Sequence, residues 1–387
     1  MDRLVAAHRA LRTAAPHQLL SDLGSALRRH YSVAQLELRV ADYGMTALRP
    51  LPSDHADAGP APAHIGPHGR AFGSQRPFVE PRPEGVETVT AHLPVTVRGD
   101  CLGVLTVRLP EARFSSGVLA ELAEIADVLG HELVVAERDT DLFVRARRSE
   151  RLTLAAEMQW QLLPGRSCSH REFDLGGQLE PAYAVHGDNF DWSTSAEDLT
   201  LTVVNGMGEG IEAALLTHLA VNALRNARRA GLPLADQAHL ADQAVYGRYR
   251  GTAHVSALLL RFELATGRVA VIDAGSPRMW RLRQGTAECR EFEAQLPLGM
   301  FEDTYYRVQE FRVLPEDRLF FVSDGVYDAA NPSGERYGER ALARALTSSR
   351  LLPPAQVPRA VLSELASHHG LGRPEDDAMV VCLDWHG

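Results

Sequence analysis

The chain has 387 residues, of which 45% are hydrophobic and 23% charged, with 40 basic against 50 acidic residues and a formal net charge of −10. That length predicts two or three domains, each able to bury a core, and the acidic balance without a sustained basic stripe excludes a nucleic-acid binder. No apolar run reaches the roughly 18 residues of a membrane span, and the N-terminus lacks the apolar core and cleavage pattern of a secretory signal, so a cytoplasmic protein is expected.

All 40 basic residues are arginine, which excludes Schiff-base, Walker and kinase-strand lysine chemistry. Cys101, Cys168, Cys289 and Cys382 follow no metal or redox spacing and read as free thiols of a reducing compartment.

In chain order, residues 1–30 read as a helical pair, with Leu19, Leu20, Leu23 and Leu27 on one apolar face. Val33 to Val40 alternates as a strand, and the Pro-, Gly- and Asp-rich stretch 52–68 reads as loop. Thr88–Val97 and Leu102–Leu109 predict a hairpin turning at Arg98-Gly99-Asp100, and Phe114-Ser115-Ser116 a helix start. With Gly69-Arg70-Ala71-Phe72-Gly73 before Pro77 and the Asp100-Cys101-Leu102-Gly103-Val104-Leu105 hairpin, residues from about 15 to 137 resemble a GAF-type sensory domain. The resemblance implies a small-molecule or protein signal there; no chromophore-type cysteine or metal cluster identifies it.

From Gly117 to Leu163 the chain is helical in pattern, without proline and with Gly130 as its interior breaker. Leu122, Ile125, Leu129, Leu133, Leu142, Leu152, Ala155 and Leu162 mark a stripe that a charged stretch, 137–151, interrupts. Two readings stand: one signalling helix that pairs with a second copy in a homodimer, or two helices broken near Asp139-Thr140-Asp141. Pro164-Gly165 ends the segment.

Strands then dominate: Leu199–Val204, Val255–Leu264, Arg268–Ala274, Arg278–Arg283, Arg307–Phe311, Arg318–Val322 and Ala378–Leu383. Helices are expected at Ile211–Ala230, 234–248, Glu339–Leu346 and Pro354–His368. Hairpin signals such as Ala265-Thr266-Gly267 point to antiparallel sheets with helices outside.

Four motifs carry the chemistry: His186-Gly187-Asp188-Asn189-Phe190-Asp191, Asn205-Gly206-Met207-Gly208-Glu209-Gly210, Ser323-Asp324-Gly325-Val326 and Glu375-Asp376-Asp377. Each is read at the end of an apolar run. Carboxylates gathered from distant strand ends suit a hard cation such as Mg²⁺ or Mn²⁺, which takes oxygen ligands. The second motif mimics a dinucleotide fingerprint but fails it, because its sixth position is Ile211 and Arg225, Arg228 and Arg229 follow where a ribose-binding acid belongs. Its glycines let a backbone carbonyl, that of Gly206, face a metal.

The run from Met158-Gln159-Trp160-Gln161-Leu162-Leu163-Pro164 through Pro181-Ala182 to Gly187-Asp188-Asn189-Phe190-Asp191 resembles the opening of SpoIIE/RsbU-type PP2C (PPM) phosphatases. Glu212-Ala213-Ala214-Leu215, Ala274-Gly275-Ser276-Pro277, Pro297-Leu298-Gly299, Ser323-Asp324-Gly325-Val326-Tyr327-Asp328-Ala329 and Asp376-Asp377 continue it in family order. The resemblance implies two Mn²⁺ or Mg²⁺ ions activating water against phosphoserine or phosphothreonine, with Asp188, Asp324 and Asp376 as ligands and Gly206 lending its carbonyl. Asn205 stands at the bridging-aspartate position. Asp191, Asp377 and His186 are second-tier candidates, holding waters or ligands. The usual substrates of the family imply a phosphorylated anti-anti-sigma (STAS-type) regulator as partner.

Asn205 brings an oxygen but no charge, so three carboxylates face the four positive charges of two divalent ions, and at least one ion is expected to bind weakly. His186 replaces a glycine, Ser276 a histidine and Met379 a threonine of the family pattern. An active phosphatase and a non-catalytic signalling scaffold are therefore both open; a pure sensor would leave the retained acids unexplained. The fold class expected is α+β: a GAF-like α/β sensor domain over 1–137, a linker helix over 138–164, and over 165–387 a PP2C-like antiparallel β-sandwich flanked by helices.

Overall fold

The structure is a computed structural model that describes residues 3–51, 59–81, 85–148, 153–180, 185–275, 277–331, 333–370 and 376–387. It divides into two compact units, Met1–Arg151 and Leu152–Gly387. Among the described residues no helix is long and apolar enough to cross a membrane.

The N-terminal unit runs α1 (Arg3–Thr13), α2 (Leu19–Tyr31), β1 (Gln35–Ala41), β2 (Ala47–Pro50), β3 (Ala61–Pro62), α3 (Gly66–Ser74), β4 (Phe78–Val79), β5 (Thr88–Val97), β6 (Asp100–Pro110), α4 (Ser116–Ala136) and α5 (Leu142–Arg147). Its strands form one antiparallel sheet in the order β3-β2-β1-β6-β5-β4. Alternate strand residues face opposite ways. Leu38, Leu93 and Leu105 therefore meet Leu11, Leu23, Leu27, Leu122 and Ile125 of the helices on one face. On the other, Ala41 and Val104 meet Ala71 and Phe72 of α3. The hairpin turn has Arg98 at φ 50° and Gly99 at φ 92°, the positive angles that a tight two-residue turn demands. Ser115 caps α4 by accepting from the Val118 N–H at 3.2 Å.

Two expectations need correction. The stretch 52–68 is not all loop: residues 59–68 contain β3 and the start of α3, while 52–58 lie outside the described residues. Nor does one helix run from 117 to 163. α4 stops at Ala136; a turn follows in which Thr140 Oγ1 accepts from the Leu142 N–H at 3.3 Å, and a new helix from Leu142 buries Phe143 in the N-terminal core. A third, α6 (Leu154–Leu162), belongs to the second unit. Residues 149–152, Leu152 of the stripe among them, lie outside the described set.

After α6 come β7 (Ser167–Ser169), β8 (Phe173–Glu180), β9 (Asp188–Thr194), β10 (Asp198–Gly206), α7 (Gly210–Arg229), α8 (Leu234–Tyr249), β11 (Val255–Glu263), β12 (Arg268–Ala274), β13 (Arg278–Arg283), β14 (Thr286–Arg290), β15 (Gln309–Arg312), β16 (Arg318–Val322), α9 (Asp324–Tyr327), α10 (Gly338–Ser348), α11 (Val357–His369) and β17 (Ala378–Trp385). The strands make two antiparallel sheets, β15-β12-β11-β10-β9 and β14-β13-β16-β17-β8-β7. Between them lies an apolar core in which Phe190, Leu201, Val203 and Leu258 of the first sheet meet Leu319, Phe321, Met379 and Val381 of the second. α7 and α8 cover the outside of the first sheet, and α10 and α11 that of the second. Each layer buries an apolar face that would otherwise stay wet.

Candidate metal centre

Antiparallel pairing decides where the four motifs meet. Asp188 opens β9 and Asn205 sits at the end of β10; the two are paired across the strands. Asp324 follows β16, and Asp376 and Asp377 precede β17, with Val322 paired to Val380. The first and last motifs thus start strands rather than end them, a correction to the sequence reading. A strand that runs up ends where its antiparallel neighbour begins, so all four motifs lie at one end of the sandwich.

The two sheets are tied together there. Asn205 Nδ2 donates to Asp324 Oδ1 at 2.5 Å. Within the second sheet, Ser323 after β16 and Met379 of β17 clasp each other: Ser323 N–H donates to the Met379 carbonyl at 3.2 Å and Met379 N–H to Ser323 Oγ at 3.0 Å. Gly325 then passes so close to the last motif that a Cβ on it would sit 1.9 Å from the Asp377 carbonyl oxygen.

Asp377 organises rather than faces solvent. Its Oδ2 accepts from the N–H groups of His186 at 2.9 Å, Gly187 at 3.0 Å and Asp188 at 3.4 Å, and from Gln159 Nε2 at 2.6 Å. Gln159, on α6, also donates to the Asp188 carbonyl at 2.8 Å. The turn it fixes needs Gly187 at φ 90°, where a Cβ would stand 2.8 Å from Thr217 Oγ1 and 3.0 Å from the Gly206 carbonyl oxygen. Gly206 is held in turn, its N–H donating to the Gly187 carbonyl at 3.1 Å.

Within this frame Asp188 is fully buried, and neither of its carboxylate oxygens has a hydrogen-bond partner among the described residues. Burial, then the Asp377 charge, pushes its pKa well above the usual carboxylate range, with Asp324 and Asp376 adding to the effect; the Ser323 hydroxyl opposes it without meeting either oxygen at hydrogen-bonding geometry. Asp376 is also raised, by burial and then Asp324, while His186, whose Nδ1 lies 3.6 Å from Asp376 Oδ1, pulls it down. A buried carboxylate without partners is costly, and a divalent cation is the partner that best offsets it. As they stand, no three His, Cys, Asp or Glu side chains among the described residues are gathered tightly enough to chelate an ion. Asp324 is engaged by the Asn205 amide. Beside the acids opens a pocket of about 400 Å³, lined by Asp324, Gly325, Asp328, Ala329, Ala330, His369 and Asp376.

Asp191 is not part of this cluster. It lies three residues beyond Asp188, an odd offset that turns it to the opposite face of the sheet. There Arg225 Nη2 at 2.7 Å and Arg228 Nη1 at 2.9 Å neutralise it, and its side chain is 4% exposed. It locks α7 to β9. Met379 puts its side chain into the inter-sheet core. Ser276, Pro181, Ala182 and Glu375 lie outside the described residues. Sequence reasoning assigned no role to Gln159 or Thr217; the signal it had for Gln159 was a polar residue inside an otherwise apolar helix face.

Residues 195–386 match the model of the family described as Stage II sporulation protein E (SpoIIE). The phosphoserine phosphatase RsbU of Bacillus subtilis (strain 168) is 21% identical over 241 residues, which cover 62% of this chain and 71% of that protein. Among solved structures, the RsbU and RsbW domains of Rv1364c from Mycobacterium tuberculosis align with a TM-score of 0.49 at 21% identity, over 56% of this chain and 60% of that one. The SiaA-PP2C domain of Pseudomonas aeruginosa aligns at 0.48 with 24% identity, over 55% and 85% of the two chains. Over residues 195–386, just under half of the chain, the C-terminal unit is similar to the SpoIIE family and to the phosphoserine phosphatase RsbU. Its likeness to RsbU spans most of that protein, whereas this chain spans only three fifths of the Mycobacterium structure.

Proposed function

We propose that this protein is a divalent-metal-dependent phosphoserine/phosphothreonine phosphatase acting on a phosphorylated STAS-type regulator, with its N-terminal GAF-like unit receiving the signal. The observation that carries the reading is the buried, unpartnered Asp188 carboxylate among Asp324, Asp376 and Asp377. Asp188, Asp376 and Asp324 are the residues that would hold Mn²⁺ or Mg²⁺, with the Gly206 carbonyl beside them. When bound, such an ion lowers the pKa of a coordinated water and neutralises the transferring phosphoryl group.

The chain's own residues do the rest. Asp377 and Gln159 fix the 186–188 turn, so Asp188 presents its oxygens at one position and is spared reorganisation. Gly325 lets the Asp324 turn reach Asp376. The pocket beside these acids is the candidate seat for the phosphorylated segment. The phosphoserine named for the RsbU relative supports the substrate class, and the antiparallel sheet with helices on both faces supports the GAF-like reading.

A second reading, an impaired phosphatase kept as a binding scaffold, is favoured by one observation: the Asn205 amide offers a donor to Asp324 where a bridging acid would offer charge to two ions. Hydrolysis of p-nitrophenyl phosphate with Mn²⁺, with chelator, and by Asp324→Ala decides between them. Mn²⁺-dependent turnover well above the Asp324→Ala background supports the enzyme. Chelator-insensitive hydrolysis at the level of that variant leaves the scaffold.

A further inference from the structure

The N-terminal unit holds an open pocket of about 390 Å³ between β2 and α5, lined by Arg49, Pro50, Pro60, Leu142, Arg145, Ala146 and Arg148. Among the described residues three guanidiniums and no acid line it, in a chain whose formal net charge is −10. Neither the Arg49 nor the Arg145 guanidinium makes a hydrogen bond or ion pair with a described residue. Arg147, next along the same helix but not lining the pocket, shows the ordinary fate of such a side chain: its Nη2 pairs with Glu137 at 3.1 Å.

Arginines at the end of a helix are common because they answer its dipole. That accounts for Arg145 and Arg148, which are three apart and share a face. It does not account for Arg49, which comes from a different element. β3 pairs with β2 at Ala47 and Leu48, so Arg49 and Pro50 extend past it along the sheet edge and turn the pocket's wall towards α5. Pro50, Pro60, Leu142 and Ala146 make the remaining wall apolar, and the volume falls within the range of small-molecule sites, roughly 300–1,000 Å³.

We propose that this pocket binds a phosphorylated small molecule of nucleotide size, its phosphates on Arg49, Arg145 and Arg148 and its organic body on the prolines and Leu142. Guanidinium is suited to this because its planar fork meets phosphate oxygens in pairs and stays charged at every physiological pH. The site is independent of the acidic cluster in the C-terminal unit, so its occupancy is read without phosphatase activity.

The test is calorimetric titration of the full-length chain, with chelator present, using ADP, adenosine and inorganic phosphate as probes. Saturable ADP binding is expected, with adenosine silent and inorganic phosphate at least tenfold weaker. Arg145→Glu, at an exposed position, and the double variant Arg49→Ala/Arg145→Ala should weaken ADP at least tenfold, whereas Arg147→Ala and Asp188→Asn should keep it. ADP binding that survives both pocket variants, or that adenosine matches, overturns the proposal. So does inorganic phosphate binding as tightly as ADP, or no heat with ADP from the folded native chain.

Discussion

The Asn205 amide donates to the Asp324 carboxylate at 2.5 Å, joining the end of one sheet to the end of the other inside an otherwise acidic cluster. A donor at that place does in part what a cation would do, since it offsets one carboxylate while leaving Asp188 without a partner. Asn205→Asp replaces the donor by a fourth carboxylate among the proposed ligand positions. The chelated variant should unfold at a lower temperature than the native chain, bind Mn²⁺ at least tenfold more tightly, and hydrolyse p-nitrophenyl phosphate faster. Calorimetry and a thermal melt check both halves; equal affinities would show the charge argument to be wrong.

Gln159→Leu removes the amide that donates to both Asp377 and the Asp188 carbonyl. The turn keeps its three backbone donors but loses its tie to α6. A stability loss of about 1–2 kcal/mol in urea unfolding is expected, together with weaker Mn²⁺ binding, because Asp188 is no longer held in one place. Unchanged Mn²⁺ affinity would reduce Gln159 to a packing residue.

Gly325→Ala tests the approach of the two turns. Its Cβ would fall 1.9 Å from the Asp377 carbonyl oxygen, so backbone must move. A cost of about 1–3 kcal/mol is expected, with a larger proportional loss of Mn²⁺ affinity than of stability. A variant with native affinity would show that Asp324 and Asp376 need not be this close.

The sheets were largely legible in the sequence because their apolar runs are long and bounded by turn residues. β12, β13 and β16 have the bounds that their residues suggest. β8 was not, since Gly176 and Gly177 interrupt its alternation. The acidic residues could be found but not sorted. Strand parity separates Asp188 from Asp191, and only pairing shows that Arg225 and Arg228 claim the latter. The break after α4 was visible as charge and as Asp139-Thr140-Asp141, yet the helical period alone could not choose between one helix and several. Phe143 decides it, because its burial in the N-terminal core fixes α5 there.

The N-terminal unit carries its own pH response. Burial, then the neighbouring His92 and Arg39, lowers the His68 pKa to about 4, with Glu80 opposing. In the unfolded chain a histidine titrates near 6.5, so below that pH the unfolded state takes up a proton that the folded state refuses. The contribution to stability is therefore full above about 6.5 and is lost as pH falls towards about 4. His68→Phe removes the titrating ring and its unpartnered, buried Nε2. Melts of native and variant chains should differ more at pH 5 than at pH 7.5, with the variant the less acid-sensitive. Parallel curves would remove His68 from the account.

The most direct measurement is Mn²⁺ calorimetry on the native chain beside Asp188→Asn, paired with melts in chelator. The variant keeps the shape of a buried side chain but removes its unpartnered charge. It should melt higher than the native chain in chelator and show no saturable Mn²⁺ heat, while the native chain binds the ion and gains stability from it. A variant that binds Mn²⁺ as tightly as the native chain would contradict the placement of the ion on Asp188.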